Sequence, residues 1–374
     1  MKLFNKNKKQ LSSQEKMFQA TQWQLMMRKF RKHKLAQIGL WVLLVLYTLV
    51  LFSEFFATMD YTTRIRDQIL MQPMKVHMFH EGRFEGPFVY TYKRSNDPVT
   101  LRRIYTEVKE ADEIHHIKFF VKGDEYKMWG FIPGDLHFVG TEDGYVLHLF
   151  GTDAMGRDLF SRIVQATRLS LTVGLVGVFF TFVLGCLLGG ISGFYGGAPD
   201  MIIQRIIEFL SSMPSIPLWM ALAAAMPTNW STVKTYFMIT LILSLIGWCS
   251  LARTVRGKIL QLRSEDFVTA AKLSGASDGY IITRHLLPGF SSYLIVSLTL
   301  QVPQMILGET SLSFLGIGLR SPAVSLGVLL KDAQNISAIA NSPWLMIPGL
   351  FIVITVMAFN FLGDGLRDAA DPYK

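Results

Sequence analysis

Four charged residues stand close together in the stretch 148–171, HLFGTDAMGRDLFSRIVQATRLSL. Asp153 and Arg157, and Asp158 and Arg162, are each four apart with the acid first. That order suits ion pairs along a helix, at roughly 0.2–0.5 kcal/mol a pair, and Thr152 or Asp153 is placed to cap it. The chemistry on offer is that of a self-stabilised surface helix. A lone carboxylate, Glu309, lies in the apolar run MILGETSLSFLGIGL. At membrane depth a carboxylate is costly and faces a pathway or a partner; if the helix already ends at 306–308, Glu309 is merely interfacial. His77, His80, His115 and His116 come with no HExxH and no cysteine pair, so they read as solvated side chains and no metal is expected. Cys186 and Cys249 sit in apolar runs and read as buried thiols. The sequence has no GxxxxGK[ST], so no phosphate-binding loop is expected of it, and it offers no plausible His/Cys/Asp cluster for hydrolysis.

A second stretch offers mechanics rather than catalysis. Residues 266–288, DFVTAAKLSGASDGYIITRHLLP, form a polar island between two apolar runs. Ser264 is a candidate N-cap, with Glu265 and Asp266 in the first turn where the helix dipole favours acids. Ala270, Ala271 and Gly275 present small side chains over about one turn. Gly275 is placed to end that helix, Ser277 and Asp278 to begin another, and Pro288 to close the unit. Two short helices hinged at a glycine make either an ordinary connector or a knob that enters a partner's groove.

The elements that must hold these stretches are apolar spans. The chain has 374 residues, 50% of them hydrophobic and 17% charged, with a mean hydropathy of +0.32. A soluble domain carries more charge. The net charge of +9 is concentrated: ten Lys or Arg fall within the first 34 residues against one acid, Glu15. That cluster abuts an apolar run, the signature of a cytoplasmic end rather than of nucleic-acid binding. Residues 36–56 are long enough to span and too long for a cleaved signal peptide. Further spans are expected at 169–195, 200–226, 236–252, 290–307 and 344–363. The 169–195 run is rich in glycine, which lets helices approach closely in lipid. Pro214 and Pro217 predict a bend in 200–226. Residues 58–150 are different material, polar and punctuated by Gly and Pro. Within them 117–121, 126–132 and 145–150 read as strands, with a turn at Lys122-Gly123-Asp124.

Ala270-Ala271, Gly275 and Leu287-Pro288 together resemble the "EAA" loop of the permease subunits of binding-protein-dependent ABC importers. Thr269 stands where that family carries glutamate, and His285 where it usually carries isoleucine. The wording GTD-xx-GRD-xx-SR at 151–162 is similar to the segment before the second membrane helix in oligopeptide and dipeptide permeases. The resemblance covers about 145–374 well and the first helix loosely.

The resemblance implies an all-α polytopic membrane protein of the type I importer permease fold, with six transmembrane helices and a β-containing insert between the first two. The expected organisation is a cytoplasmic basic segment at 1–35, helix 1 at 36–57, and an extracytoplasmic module with the pre-helix segment at 58–168. Helices 2–6 follow at 169–364, with a cytoplasmic coupling loop at 256–288 and a cytoplasmic C-terminus at 365–374. The coupling residues are then Asp266, Thr269, Ala270, Ala271, Gly275, Leu287 and Pro288. Asp153, Arg157, Asp158 and Arg162 become an outer gate or docking element, and Glu309 part of the translocation path. The chain itself is expected to bind no cofactor and to catalyse nothing; ATP and Mg belong to partners. Those partners are a second, different permease chain, two ATP-binding subunits and an extracytoplasmic solute-binding protein, in the cytoplasmic membrane of a bacterium or archaeon. The implied cargo is an oligopeptide or dipeptide, with nickel complexes as the other substrate class. The rival readings are a gradient-driven carrier or channel, and a membrane-anchored enzyme or sensor working through residues 58–150. A carrier of the first kind usually shows internal repeats and several intramembrane ionisable groups, which are not evident here.

Overall fold

A computed structural model describes residues 22–98, 102–110, 113–227, 229–334 and 336–370. The basic cluster of residues 2–16 and the last four residues fall outside that range. A short amphipathic helix, α1 (Gln22–Phe30), precedes the first span, α2 (Lys34–Leu51), which continues after a break at Phe52 into one turn, α3 (Ser53–Phe56). His33 caps α2, its Nδ1 accepting from the Ala36 amide at 3.1 Å.

Between the first and second spans lies a β module. Its strands are β1 (His77–His80), β2 (Arg83–Tyr90), β3 (Tyr92–Asn96), β4 (Arg103–Glu107), β5 (Ile114–Met128) and β6 (Ile132–Thr141). Four of them form an antiparallel sheet in the order β1-β2-β5-β6, and β3 and β4 pair separately. Met71, Met74, Val89, Tyr105, Ile117, Val139 and Leu147 bury together as its core. The strand at 117–121 is present within β5. The segment 126–132 instead contains the hairpin turn, at Trp129-Gly130, where both residues take positive φ. Lys122-Gly123-Asp124 is not a turn but a bulge inside β5, where the register to β6 shifts. Residues 145–150 form no strand; they run as a strap into the next helix. The histidines have separate partners: His77 with Glu107 at 3.2 Å, His80 with the Tyr90 hydroxyl at 2.8 Å, and His115 with Asp143. Among the described residues no three His, Cys, Asp or Glu gather as a metal site.

The remaining α-helices of seven residues or more among the described residues are α4 (Leu159–Tyr195), α5 (Gly197–Ser212), α6 (Ser215–Ala224), α7 (Thr232–Leu262), α8 (Asp266–Leu273), α9 (Ser291–Phe314), α10 (Leu326–Asp332) and α11 (Ile347–Ala370). Among the described residues, four helical stretches are long and apolar enough to cross a membrane unaided: α2, α4, α7 and α11 with its preceding turn. Two bent pairs pass the same test when each counts as one span, giving up to six. The α5–α6 pair bends by 89° at Met213-Pro214, where the prolines foretold a break. The second pair joins residues 278–289 to α9 with a 76° bend. Helix α4 starts ten residues before the expected 169: its first three turns mix Arg162, Gln165 and Arg168 with apolar residues, of which Leu159, Ile163 and Ala166 are buried with Phe150, Leu326 and Leu329.

Small residues set the helix spacing. A Cβ built on Gly185 would lie 2.7 Å from Leu251, one on Gly189 would lie 2.5 Å from the Ala252 carbonyl, and one on Gly193 would lie 2.8 Å from the Arg256 carbonyl. Four residues apart, these three glycines form one face of α4 that receives α7 backbone to backbone. The α2–α11 pair works alike: a Cβ on Gly39 would lie 2.6 Å from the Ala358 carbonyl, and Gly365 abuts Ala36. A shared core of Leu43, Leu46, Leu171, Leu243, Ile306 and Phe359 ties α2, α4, α7, α9 and α11 into one bundle.

Candidate coupling surface and charged hub

The 266–288 stretch is seated by three fully buried side chains. Val268, Ile281 and Leu286 enter a cluster with Leu251, Val255, Ile259 and Leu294, at the ends of α4, α7 and α9. The N-cap is Glu265, not Ser264, and it makes no side-chain cap bond; Asp266 then supplies the acid of the first turn. The helix ends as a Schellman motif: the Ala276 amide donates to the Ala271 carbonyl at 3.1 Å and the Gly275 amide to Lys272 at 3.0 Å. Gly275 holds φ +80°, the left-handed conformation this cap requires. A Cβ on Gly275 would meet nothing within 4 Å. Inside this chain the glycine therefore serves conformation, not close contact.

Ser277 starts the second limb, its hydroxyl accepting from the Tyr280 amide at 3.4 Å. That limb winds as a π-helix over Ile281–Leu286, with the Leu287 amide reaching the Ile282 carbonyl five residues back. Pro288 follows, where the missing amide donor cannot continue an α-helical ladder. The expected common small face does not form. Ala270, Thr269 and Gly275 point out, whereas Ala271 and Leu287 are half-buried and pack inward with the buried cluster. Pro288 and His285 are exposed, the His285 ring edge-on to Tyr280. What the surface presents around Ala270 is apolar bulk: Leu273 is 85% exposed, Tyr280 52% and Phe267 45%.

The 148–162 stretch is built the other way round. The helix cap is Asp158, neither Thr152 nor Asp153; its carboxylate accepts from the Ser161 amide at 2.7 Å. Asp158 also bonds His148 Nδ1 at 2.8 Å, and the expected Asp158–Arg162 pair does not form. A carboxylate folded back to cap its helix cannot reach the next turn. Arg162 goes instead to Asp153, with Asp332 of α10 at 3.7 Å. Asp153 binds Arg157 Nε at 2.7 Å, in the turn before the helix rather than along it as expected, and accepts from the Met155 and Arg157 amides. Asp153, Arg157, Asp158 and Arg162 are all buried. The Thr152 hydroxyl accepts from Met71 at 2.8 Å and its carbonyl from Trp344 Nε1 at 3.0 Å. One turn thus fastens the β-module strap, α4, α10 and the approach to α11. The four charges are sealed from a soluble partner, so direct docking on their side chains is not available in this structure.

Residues 182–373 match the family described as "Binding-protein-dependent transport system inner membrane component". The chain belongs to this family of importer permeases. Residues 21–73 of the permease also match the N-terminal transmembrane domain of oligopeptide transport permease C. It is 42% identical over 233 residues to an oligopeptide transport system permease protein of Haemophilus influenzae, covering 62% of this chain and 72% of that one. It is 40% identical over 227 residues to a dipeptide transport system permease protein of Bacillus subtilis, covering 60% and 68%. A solved inward-facing methionine ABC transporter aligns over 56% of this chain and 97% of its own at 20% identity, with a TM-score of 0.46.

Glu309 of the permease lies inside α9, which runs five residues past it, so the helix does not end at 306–308. The carboxylate is fully buried and takes hydrogen bonds from Ser313 at 2.7 Å and Ser170 at 3.2 Å. Those hydroxyls in turn accept from the Leu319 and Leu326 amides. Glu309 therefore joins α4 and α9 to the segment before α10, and no open path touches it in this conformation. Sequence reading missed Leu273 and Phe267 as surface features. The available signal was two apolar stripes on one eight-residue helix: Val268 can bury only one of them.

Proposed function

We propose that this chain is the permease subunit of an ATP-driven importer of oligopeptides or dipeptides, working by alternating access. Its relatives' names support the cargo, and its family supports the importer class. In this reading ATP and Mg bind to two partner ATPases on the side of the membrane where α8 lies, a second permease completes the pore, and a solute-binding protein delivers peptide on the other side. Both termini and α8 are then cytoplasmic, and the β module is extracytoplasmic.

The observation that carries the reading is the exposed apolar surface of α8 on a buried seat. Val268, Ile281 and Leu286 fix the stretch to three spans, so a push on Phe267, Ala270 and Leu273 moves the ends of α4, α7 and α9 together. Leaving Leu273 in water is unfavourable by an amount a partner's groove would recover, about 1.5–3 kcal/mol for a fully buried leucine. The Asp153 hub acts in this scheme as a rigid outer hinge, and Glu309 as an interhelical tie. Leu273→Asp should leave the permease folded, since exposed substitutions cost within about 0.5 kcal/mol, yet greatly reduce the ATPase subunit that co-purifies. Undiminished co-purification with normal peptide-stimulated ATP hydrolysis would refute the assignment of α8 as the docking surface.

A further inference from the structure

Trp129 at the tip of the β5–β6 hairpin donates its indole Nε1–H to the Leu51 carbonyl at 2.8 Å. Leu51 is the last residue of α2, an 18-residue apolar helix about 27 Å long at 1.5 Å per residue. That length nearly fills a hydrocarbon core of roughly 30 Å, so Leu51 marks the boundary between acyl chains and headgroups. Two further bonds set the hairpin's direction. His137 meets the Ala57 carbonyl at 2.6 Å, and Asp124 accepts from the Asp60 amide at 3.1 Å. The chain leaving the membrane from 51 to 60 and the hairpin thus run side by side. The hairpin's turn lies at the membrane end of that run.

We propose that this turn is a membrane anchor: Trp129, Phe131 and Ile132 seat in the headgroup–acyl boundary of the phospholipid bilayer beside the first span. The three side chains are exposed, Phe131 at 70%, which a water-facing loop tip would not favour. Trp129 and Phe131 lie against each other with ring centroids 6.1 Å apart. Leu44, Val45 and Leu51 are exposed on the neighbouring helix, so the apolar surface is continuous with a lipid-facing wall. A tryptophan with its N–H satisfied and its ring edge bare suits that interface, and exposed Lys127 next to it can reach lipid phosphate along its aliphatic stem. The β1–β2 turn points toward the same end of the sheet, although the Phe88↔His116 register, extended, sets Phe84 opposite Phe120, nine residues short of Trp129; exposed Phe79 and Phe84 pack on each other there at 5.5 Å. The module would then lean on the bilayer instead of swaying on its strap, which fixes where its far surface stands.

The inference rests on α2 spanning the membrane, and not on the cargo or the ATPase assignment. The test is a spin label at Phe131→Cys in the full-length chain, within its assembled complex, in liposomes of phosphatidylethanolamine and phosphatidylglycerol. Cys186 and Cys249 are buried and are replaced by alanine. The label should collide with lipid-dissolved oxygen several-fold more, relative to a water-soluble nickel chelate, than a label at exposed Lys93→Cys does. Ile132→Cys should report the same. A Phe131 ratio equal to that at Lys93 would overturn the anchor, and so would low collision with both reagents, which would mean that protein covers the turn.

Discussion

At the start of α4, two aspartates and two arginines are buried with their hydrogen bonds largely met, while at its other end, about 55 Å away along 37 residues, leucine and phenylalanine stand in the open on α8. Each region inverts the usual rule that charge faces out and apolar groups face in. The difference lies in what each still lacks. The hub is closed: Asp153 binds two guanidinium groups and two amides within this chain. The α8 surface is open, its apolar side chains unmatched. A closed polar network confers rigidity and cannot exchange partners without a large penalty; an open apolar surface has affinity to offer.

The largest effect should follow from opening the closed region. Asp153→Ala strands Arg157 in the interior and leaves Arg162 with the more distant Asp332, and breaking one member of a buried ion pair costs about 3–5 kcal/mol. The expected result is a steep fall in folded permease recovered from membranes, measured by monodispersity and thermal stability. Recovery within the range of surface variants would show that the hub is not sealed.

A moderate effect belongs to acid. Burial alone would raise the Glu107 carboxyl, but hydrogen bonds from Tyr92 and His77 outweigh it and hold the group below its usual value. Asp143 is likewise lowered: His115 and the Tyr145 amide more than offset burial. A carboxyl depressed by folding stabilises the folded state above its unfolded pKa and loses that contribution as pH falls through the folded value. The β module should therefore weaken as pH drops below the ordinary carboxylate range, with α8 unaffected. Local protection measured by hydrogen exchange reads both regions at once. Equal acid sensitivity of the two would remove the contrast.

The smallest effect is expected at Thr269, exposed on α8. Thr269→Glu, the residue the importer family carries there, should change stability by less than about 0.5 kcal/mol and preserve coupling. Lys272→Ala is a useful companion. Its ammonium lies 4.9 Å from the Phe194 ring, so about 0.5–1 kcal/mol of seating is lost without touching the outward face.

The bundle was largely legible in the sequence because spans are long, apolar and separated by charge. The glycine-lined contact of α4 and the break at Pro214 follow from residue types alone. The polar regions were less legible, for identifiable reasons. Asp158 had two possible uses, a cap or an ion pair, and spacing cannot rank them; the cap won because His148 and Thr58 also converge on that carboxylate. Gly123 reads as a turn residue, yet it sits in a bulge against His137, a partner fourteen positions away. The inward and outward faces of α8 could not be separated, because both carry apolar side chains and the seat is made by residues from three other helices. Gly275 was placed correctly at the end of α8, but its lack of intrachain neighbours is visible only in three dimensions.

That last point supplies the decisive measurement: peptide-stimulated ATP hydrolysis by the complete complex in lipid, for Gly275→Ala beside Gly275→Leu. Both substitutions bear the same strain of a left-handed residue, roughly 1–2 kcal/mol, and a Cβ at this position meets no atom of this chain within 4 Å. The extra bulk of leucine beyond the shared Cβ is then read against whatever lies on α8. The account predicts that Gly275→Ala retains most of its stimulation, whereas Gly275→Leu folds and spans the membrane but loses both stimulation and bound ATPase. A Gly275→Leu complex that assembles and couples as well as the alanine variant would contradict it.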